Sequence, residues 1–237
     1  MKKIILKIAL CFIFIASTTC TIIYLQYNGY IWINTPSFQE YPNRGIDISN
    51  HQGIIYWDKV KGQNFTFVFM KATEGDEFTD HLFSRNWRES KRIGLQRGAY
   101  HFYHFSTDPE SQARHFIKTV PNDSDALPPV VDIEFGGNSA LVPEKKKLIN
   151  DIQSFLKIIE NNFNKKAILY VTNDSYNAYI KNNFKKNPIW IRELYWKPKL
   201  ESGRTFDFWQ YCNRGRVAGI NGFVDLNVKN SFKNENK

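Results

Sequence analysis

Cysteine is nearly absent from the body of this sequence. Of its three cysteines, Cys11 and Cys20 lie in an apolar leader and Cys212 stands alone beyond it. One thiol cannot close an intramolecular disulfide, so the folded part must be held by its core. Also missing are an arginine-rich run, a zinc-knuckle spacing and a glycine loop that could cradle phosphate. Nucleic acid is therefore not an expected partner. The formal charge of +9 instead suits an anionic cell-wall polymer or a membrane surface, with Lys2, Lys3 and Lys7 supplying part of it. No internal repeat is present.

What the chain does have is apolar and aromatic matter. Its 237 residues, 42% hydrophobic and 16% aromatic, suffice for one sizeable domain plus an appendage. Aromatic faces either fill a core or hold sugar rings, and core filling is the default for most of them.

The appendage is the amino-terminal stretch, residues 1–27. A basic flank is followed by an apolar run from Ile8 to Leu25, about the length that crosses a bilayer as a helix. The positive flank predicts a cytoplasmic amino terminus and an exported remainder. The expected outcome is a single membrane anchor. The alternative is secretion after signal cleavage near Ala16, Ser17 and Thr18. Residues 28–42 carry no strong period and read as a linker.

From residue 43 to 228, short β-rich runs recur: RGIDIS (44–49), FTFVFMKAT (65–73), QRGAYHFYHF (96–105), PPVVDIEF (128–135), KAILYVT (166–172), PIWIREL (188–194), TFDFWQYC (205–212) and GFVDLNV (222–228). Several are apolar on both faces, as in a buried parallel sheet. Helical spacing joins Leu82, Phe83, Trp87 and Ile93, and again Leu148, Ile152, Phe155, Leu156 and Ile159, with Pro143 suited to a first turn. Strands alternating with helices predict an α/β fold, an irregular (β/α) TIM-like barrel whose helices are reduced toward the C-terminus. Residues 229–237 read as a polar tail.

Four acids interrupt these strands. Asp132 and Glu134 stand two apart, so one strand face presents both. Asp47 lies near the end of the first strand and Asp225 in the last, and those strands become neighbours when a barrel closes. Ionised groups lose hydration on burial unless paired or protonated, so a lone strand-end acid is more often a cap or salt-bridge partner. Four acids at the mouth of a barrel point to chemistry. Mutual repulsion and partial burial keep one carboxyl protonated while its neighbours stay charged, the division of labour that glycoside cleavage requires.

The segments RGIDISNHQG with Trp57, FVFMKATEG with Asp80 and Phe83, GLQRGAYHFYHF, QARHF, PPVVDIEF, LYVTN, IWIRE, and WQY followed by GFVDLN, in this order, resemble the glycoside hydrolase family 25 lysozymes, the Chalaropsis-type N-acetylmuramidases. The resemblance spans almost all of residues 43–228. It implies an irregular β/α barrel that cleaves the β-1,4 bond between N-acetylmuramic acid and N-acetylglucosamine in peptidoglycan, working without a cofactor. By that resemblance Glu134 matches the general acid. Asp132 matches its partner, which orients the substrate's acetamido group, and Asp47 and Asp225 match the remaining acids. Peptidoglycan glycan strands are the implied partner, and a monomer is the expectation. Catalysis by the N-acetyl group and direct attack by water both stay open.

Other residues have two readings. Tyr100 and Tyr170 either face the pocket or serve as core tyrosines with satisfied hydroxyls. Lys71 and Glu74 form a rim ion pair or contact substrate. Trp190 and Trp209 are candidate sugar platforms, with core packing favoured for Trp190. His101 and His104 fall on opposite faces of a strand, a poor metal pair, and are expected to be structural. Two positions depart from the family pattern: Tyr56, where an acid commonly precedes the tryptophan, and Arg192–Glu193, where smaller residues are usual. Both bear on subsite preference. The rival functions are a glycan-binding barrel with little or no turnover and a metal-dependent hydrolase using His101.

Overall fold

The computed structural model describes residues 2–137 and 144–231. Pro143 and most of the expected polar tail lie outside the described residues. Every expected strand forms: β1 (Arg44–Ile48), β2 (Phe67–Glu74), β4 (Gln96–Phe102), β5 (Val130–Ile133), β6 (Ile168–Thr172), β7 (Ile189–Arg192), β8 (Phe208–Gly215) and β9 (Val224–Lys229). A two-residue strand, β3 (Phe78–Thr79), adds a short hairpin on β2.

The sheet runs β1-β9-β8-β7-β6-β5-β4-β2 and closes through β1–β2 pairing. Pairing is parallel from β1 through β2 to β8, whereas β9 runs antiparallel to both β8 and β1. The short link from β8 to β9 explains this, because a parallel return needs a crossover of a dozen or more residues.

The described helices are α1 (Lys2–Tyr27), α2 (Trp57–Val60), α3 (Phe83–Arg92), α4 (Pro109–Thr119), α5 (Lys145–Phe163) and the single turn α6 (Asn173–Ser175), which runs on into a π-turn over Tyr176–Ile180. No helix separates β7 from β8 or β8 from β9 among the described residues, so helices do thin toward the carboxyl end. The spaced apolar residues of α5 are all buried against the barrel. α4 has no counterpart among the helical stretches read from the sequence. Its start is set by Asp108, whose carboxylate accepts from the Ser111 amide at 2.7 Å, with Pro109 in the first turn.

Two apolar layers result from strand alternation. Outward residues such as Ile46, Val68, Val131 and Leu169 join the helices in the larger core. Inward residues Phe67, Phe69, Val130, Ile168, Trp190 and Phe208 plug the barrel. Gly45 and Gly98 make room for that plug: a Cβ on Gly45 would lie 2.3 Å from the Phe67 ring, and one on Gly98 2.4 Å from that of Phe69. The plug fills the lower barrel and leaves the acids above it.

Residues 28–42, read from the sequence as a linker, lie along the barrel as a strap. Tyr41 is buried beside Phe206 and Trp209, with ring centroids at 6.5 and 5.9 Å. Arg44 donates to the Pro36 carbonyl at 2.6 Å, and Lys197 pairs with Glu40. A strap anchored by single residues needs no period.

Candidate active site

Above the plug lies a cavity of about 400 Å³ whose wall includes Asp47, Asp132, Glu134 and Asp225. The carboxyl ends of β1 and β5 bring the first three, and β9, running the other way, brings Asp225 from its amino end. Asp47 and Asp225 are register partners on β1 and β9. Their carboxyl groups stand close enough that each bears directly on the other's ionisation.

The supporting bonds are specific. Trp190 Nε1 donates to Asn227 Oδ1 at 2.8 Å, and Asn227 Nδ2 donates to Asp47 Oδ2 at 2.6 Å. Tyr170 donates its hydroxyl proton to Gln210 Oε1 at 2.6 Å, and Gln210 lies beside Asp225, where it favours the charged carboxylate. Asn227 and Gln210 are both buried. Their amides fix the Asp47–Asp225 pair from either side. Both lie within the segments WQY and GFVDLN, yet sequence reasoning passed over them because neutral amides carry no charge to single them out.

Burial raises the pKa of every acid in the cavity. Asp47 is pushed well above the carboxylate range by burial and then by the charge of Asp225. Asp225 itself is raised to about 6, chiefly by burial. Asp132 is also well up, through burial and the neighbouring Glu134. Burial raises Glu134 too, but Arg192 and Lys71 oppose the shift. Arg192 Nη1 lies 3.2 Å from Glu134 Oε2. Sequence reasoning noted Arg192 as a departure and assigned it to subsite preference. The structure puts its guanidinium on the cavity wall beside the acid.

The remaining candidates divide. Tyr100 and Tyr170 line the cavity, and burial raises both phenols well above 10. Trp190 lines it as well. Trp209, by contrast, is 2% exposed, packs with Tyr41, Phe206 and Tyr211, and donates its Nε1 to the Glu193 carbonyl at 2.7 Å. Trp190 is packed in the plug, as favoured for it, with one edge on the cavity floor, whereas Trp209, between inward Phe208 and Gln210, faces the outer core and offers no sugar platform. Glu74 stands outside the cavity wall, paired with Lys71 and with His104 Nε2 at 3.1 Å.

His101 is fully buried on the outer side of β4. Its Nδ1 meets Thr73 Oγ1 at 2.7 Å and its Nε2 meets Gln112 Oε1 at 3.1 Å, so both ring nitrogens are engaged. Burial lowers its pKa to about 3. β4 ends at Phe102, so His104 belongs to the following loop and not to the strand face expected for it.

Comparison with known proteins agrees with this geometry. The model for glycosyl hydrolases family 25 matches residues 46–220. The chain is 35% identical over 220 residues to an uncharacterized protein, YegX, of Escherichia coli K12, covering 90% of this chain and 79% of that one. It is 32% identical over 203 residues to lysozyme M1 of Streptomyces globisporus, covering 79% and 67% respectively. Among solved structures, a family 25 glycosyl hydrolase from Bacillus anthracis superposes with a TM-score of 0.77 at 38% identity, over 83% of this chain and 92% of that one. A closed barrel with few helices, an acid-lined mouth and this extent of likeness place the chain in glycosyl hydrolase family 25.

Proposed function

We propose that this protein is a muramidase, hydrolysing the β-1,4 bond between N-acetylmuramic acid and N-acetylglucosamine in peptidoglycan. The observation that carries this reading is the convergence of four acids on one open cavity. Relatives named lysozyme and N,O-diacetylmuramidase support it.

Glu134 is the general acid. Burial favours its protonated form before reaction, and it donates that proton to the glycosidic oxygen as the bond to the anomeric carbon breaks. The carboxylate left behind faces Arg192, so the guanidinium stabilises Glu134 after proton transfer more than before it. The Asp47–Asp225 pair presents negative charge to the developing oxocarbenium ion. Asp132, on the same strand face as Glu134, orients the acetamido group. Water then adds hydroxide to the anomeric carbon and returns a proton to Glu134. Tyr100, Tyr170 and Trp190 form the sugar-contacting wall.

The test is release of reducing ends from purified peptidoglycan by the full chain in detergent. Glu134→Gln lowers the rate by about 10²–10⁴-fold, the usual weight of a general acid. Equal release by both proteins would remove Glu134 from the mechanism, and release by neither would favour a glycan-binding barrel.

The anchor belongs to the same reading. α1 is long and apolar enough to cross a membrane, and no residue of it is fully buried in the protein. It crosses the bilayer with Lys2, Lys3 and Lys7 on the cytoplasmic side, leaving the barrel facing the cell wall. Resistance to alkaline carbonate extraction, with an intact amino terminus by mass, is the expected result. A product beginning near residue 17 in the medium would establish cleavage instead.

A further inference from the structure

The barrel meets its anchor at an unexpected end. The chain enters β1 at Arg44, on the side opposite the cavity, yet the last turn of α1 packs at the cavity side. The strap of residues 28–42 accounts for this by running the barrel's length. At its beginning, Arg214 Nη1 donates to the Tyr27 carbonyl at 2.9 Å and Arg216 Nε to that of Asn28 at 2.5 Å. The two guanidinium groups also stand 4.4 Å from the Tyr27 ring and 4.7 Å from the Tyr30 ring. Asn34 Nδ2 donates to the Trp196 carbonyl at 3.1 Å. Gly29 has φ +72°, and a Cβ there would lie 1.9 Å from the Arg214 carbonyl oxygen. The approach is one that only glycine permits.

These contacts fall on the segments just beyond Arg192 of β7 and at the end of β8, which form the rim of the cavity. A second groove, of about 430 Å³, lies between Ile23 and Tyr27 on one side and Leu194, Tyr195 and Arg214 on the other. Asn213 belongs to both its wall and that of the acid-lined cavity. At about 1.5 Å per helical residue, Ile23 sits only ~3 Å inside the end of the apolar run at Leu25. Whatever touches Ile23 therefore stands at the bilayer boundary. Beside it, Tyr195 and Trp196 are 68% and 76% exposed. Exposed rings next to paired arginines suit the headgroup layer, where amphipathic aromatics and cations are favoured.

We infer that the rim loop carrying Tyr195 and Trp196 rests in the headgroup layer of the membrane that α1 spans, so that the catalytic cavity opens beside the bilayer. The partner is the lipid surface itself. This inference rests on the anchor reading above and is independent of the muramidase chemistry. It implies that the glycan reached by this barrel is the layer adjoining the membrane, a restriction that the fold alone does not impose.

The test uses the full chain in nanodiscs of phosphatidylethanolamine and phosphatidylglycerol, with lipids nitroxide-labelled either near the headgroup or at the acyl terminus. The signal is the tryptophan emission of wild type minus that of Trp196→Phe, a substitution at an exposed ring. The shallow label about halves this signal and the deep label leaves most of it, as for a ring held at headgroup level. A second variant, Gly29→Val, forces strap and rim apart and abolishes the quenching while α1 stays in lipid. Retention of the chain in the lipid fraction with no Trp196 quenching would overturn the inference alone. Loss of the chain from lipid would overturn the anchor reading and this inference with it. Quenching that survives Gly29→Val would overturn the strap as its cause.

Discussion

Asp47 on β1 and Asp225 on β9 face each other as register partners, from nearly opposite ends of the chain, with their buried carboxyl groups directly coupled. Such a pair destabilises the fold when it loses its proton. Burial raises both pKa values, Asp225 to about 6, so the folded state binds protons that the unfolded chain releases near the ordinary carboxylate value of ~4. Stability from this pair therefore falls as pH rises through about 6. Asp225→Asn removes that loss. The variant is expected to gain thermal stability over wild type, by a margin that widens between acidic and neutral pH, while hydrolysis drops by about 10²–10³-fold. Melting curves over a pH series, beside reducing-end assays, check both signs. A constant margin would mean the pair does not hold its proton.

Arg192 makes a separate prediction. Its guanidinium opposes the burial that raises Glu134, so replacing it with Met frees the acid to shift further upward. The alkaline limb of kcat/KM then moves to higher pH. The maximal rate falls, because the carboxylate formed on proton transfer has lost its partner. An unmoved limb in the pH–rate profile would show that a different group sets it.

The difference between what could be read from the chain and what could not lies in the kind of signal each residue gives. Asp132, Glu134, Asp47 and Asp225 stood out because carboxylates are costly inside apolar strands, and closure of a barrel was enough to bring them together. The strand series was legible for the same reason, as apolar runs between turns. Arg192 was visible only as a departure, since a cation at a strand end has many uses until its neighbour is known. Trp209 was misplaced because inward and outward parity is set by pairing with the next strand, and sequence alone leaves that register free. α4 went unread because its buried face includes Gln112, a polar residue that breaks the apolar period. The packing of the strap was not legible because it is made by scattered single residues, Gly29, Asn34 and Tyr41 among them.

Gln112 explains why His101 is an unpromising metal ligand and yields a prediction about chelation. Its Oε1 meets His101 Nε2 and also accepts from the His104 amide at 2.9 Å, while its Nε2 donates to the carbonyls of His104 and Thr107 at 3.0 and 3.1 Å. His101, with both nitrogens engaged on the outer face of β4, ties that strand to α4. Exhaustive chelation is expected to leave hydrolysis intact, and Gln112→Ala to cost roughly 1–3 kcal/mol by leaving buried polar groups unpaired. Loss of activity on chelation, restored by a divalent metal, would revive the metal-dependent alternative. Denaturation of the variant measures the second effect.

The aromatic plug sets the floor on which the acids stand, and Gly45 is where that can be tested. A methyl group at this position would lie 2.3 Å from Phe67 Cε2, and Phe67 is locked by edge contacts to Phe69 and Phe208, with centroids at 5.8 and 5.4 Å. The ring has no free direction in which to yield. Gly45→Ala is therefore expected to destabilise the barrel by about 1–3 kcal/mol through overpacking. Because Gly45 shares β1 with Asp47, displacement of the strand should also weaken the Asp47–Asp225 contact and lower activity in the folded fraction. Shortening the obstacle in Gly45→Ala/Phe67→Leu should return part of the lost stability, although Phe67→Leu alone opens a void and is destabilising. Denaturation of the two single variants and the double variant forms a cycle with a favourable coupling energy. Strict additivity in that cycle would show that the glycine is not there to admit the ring.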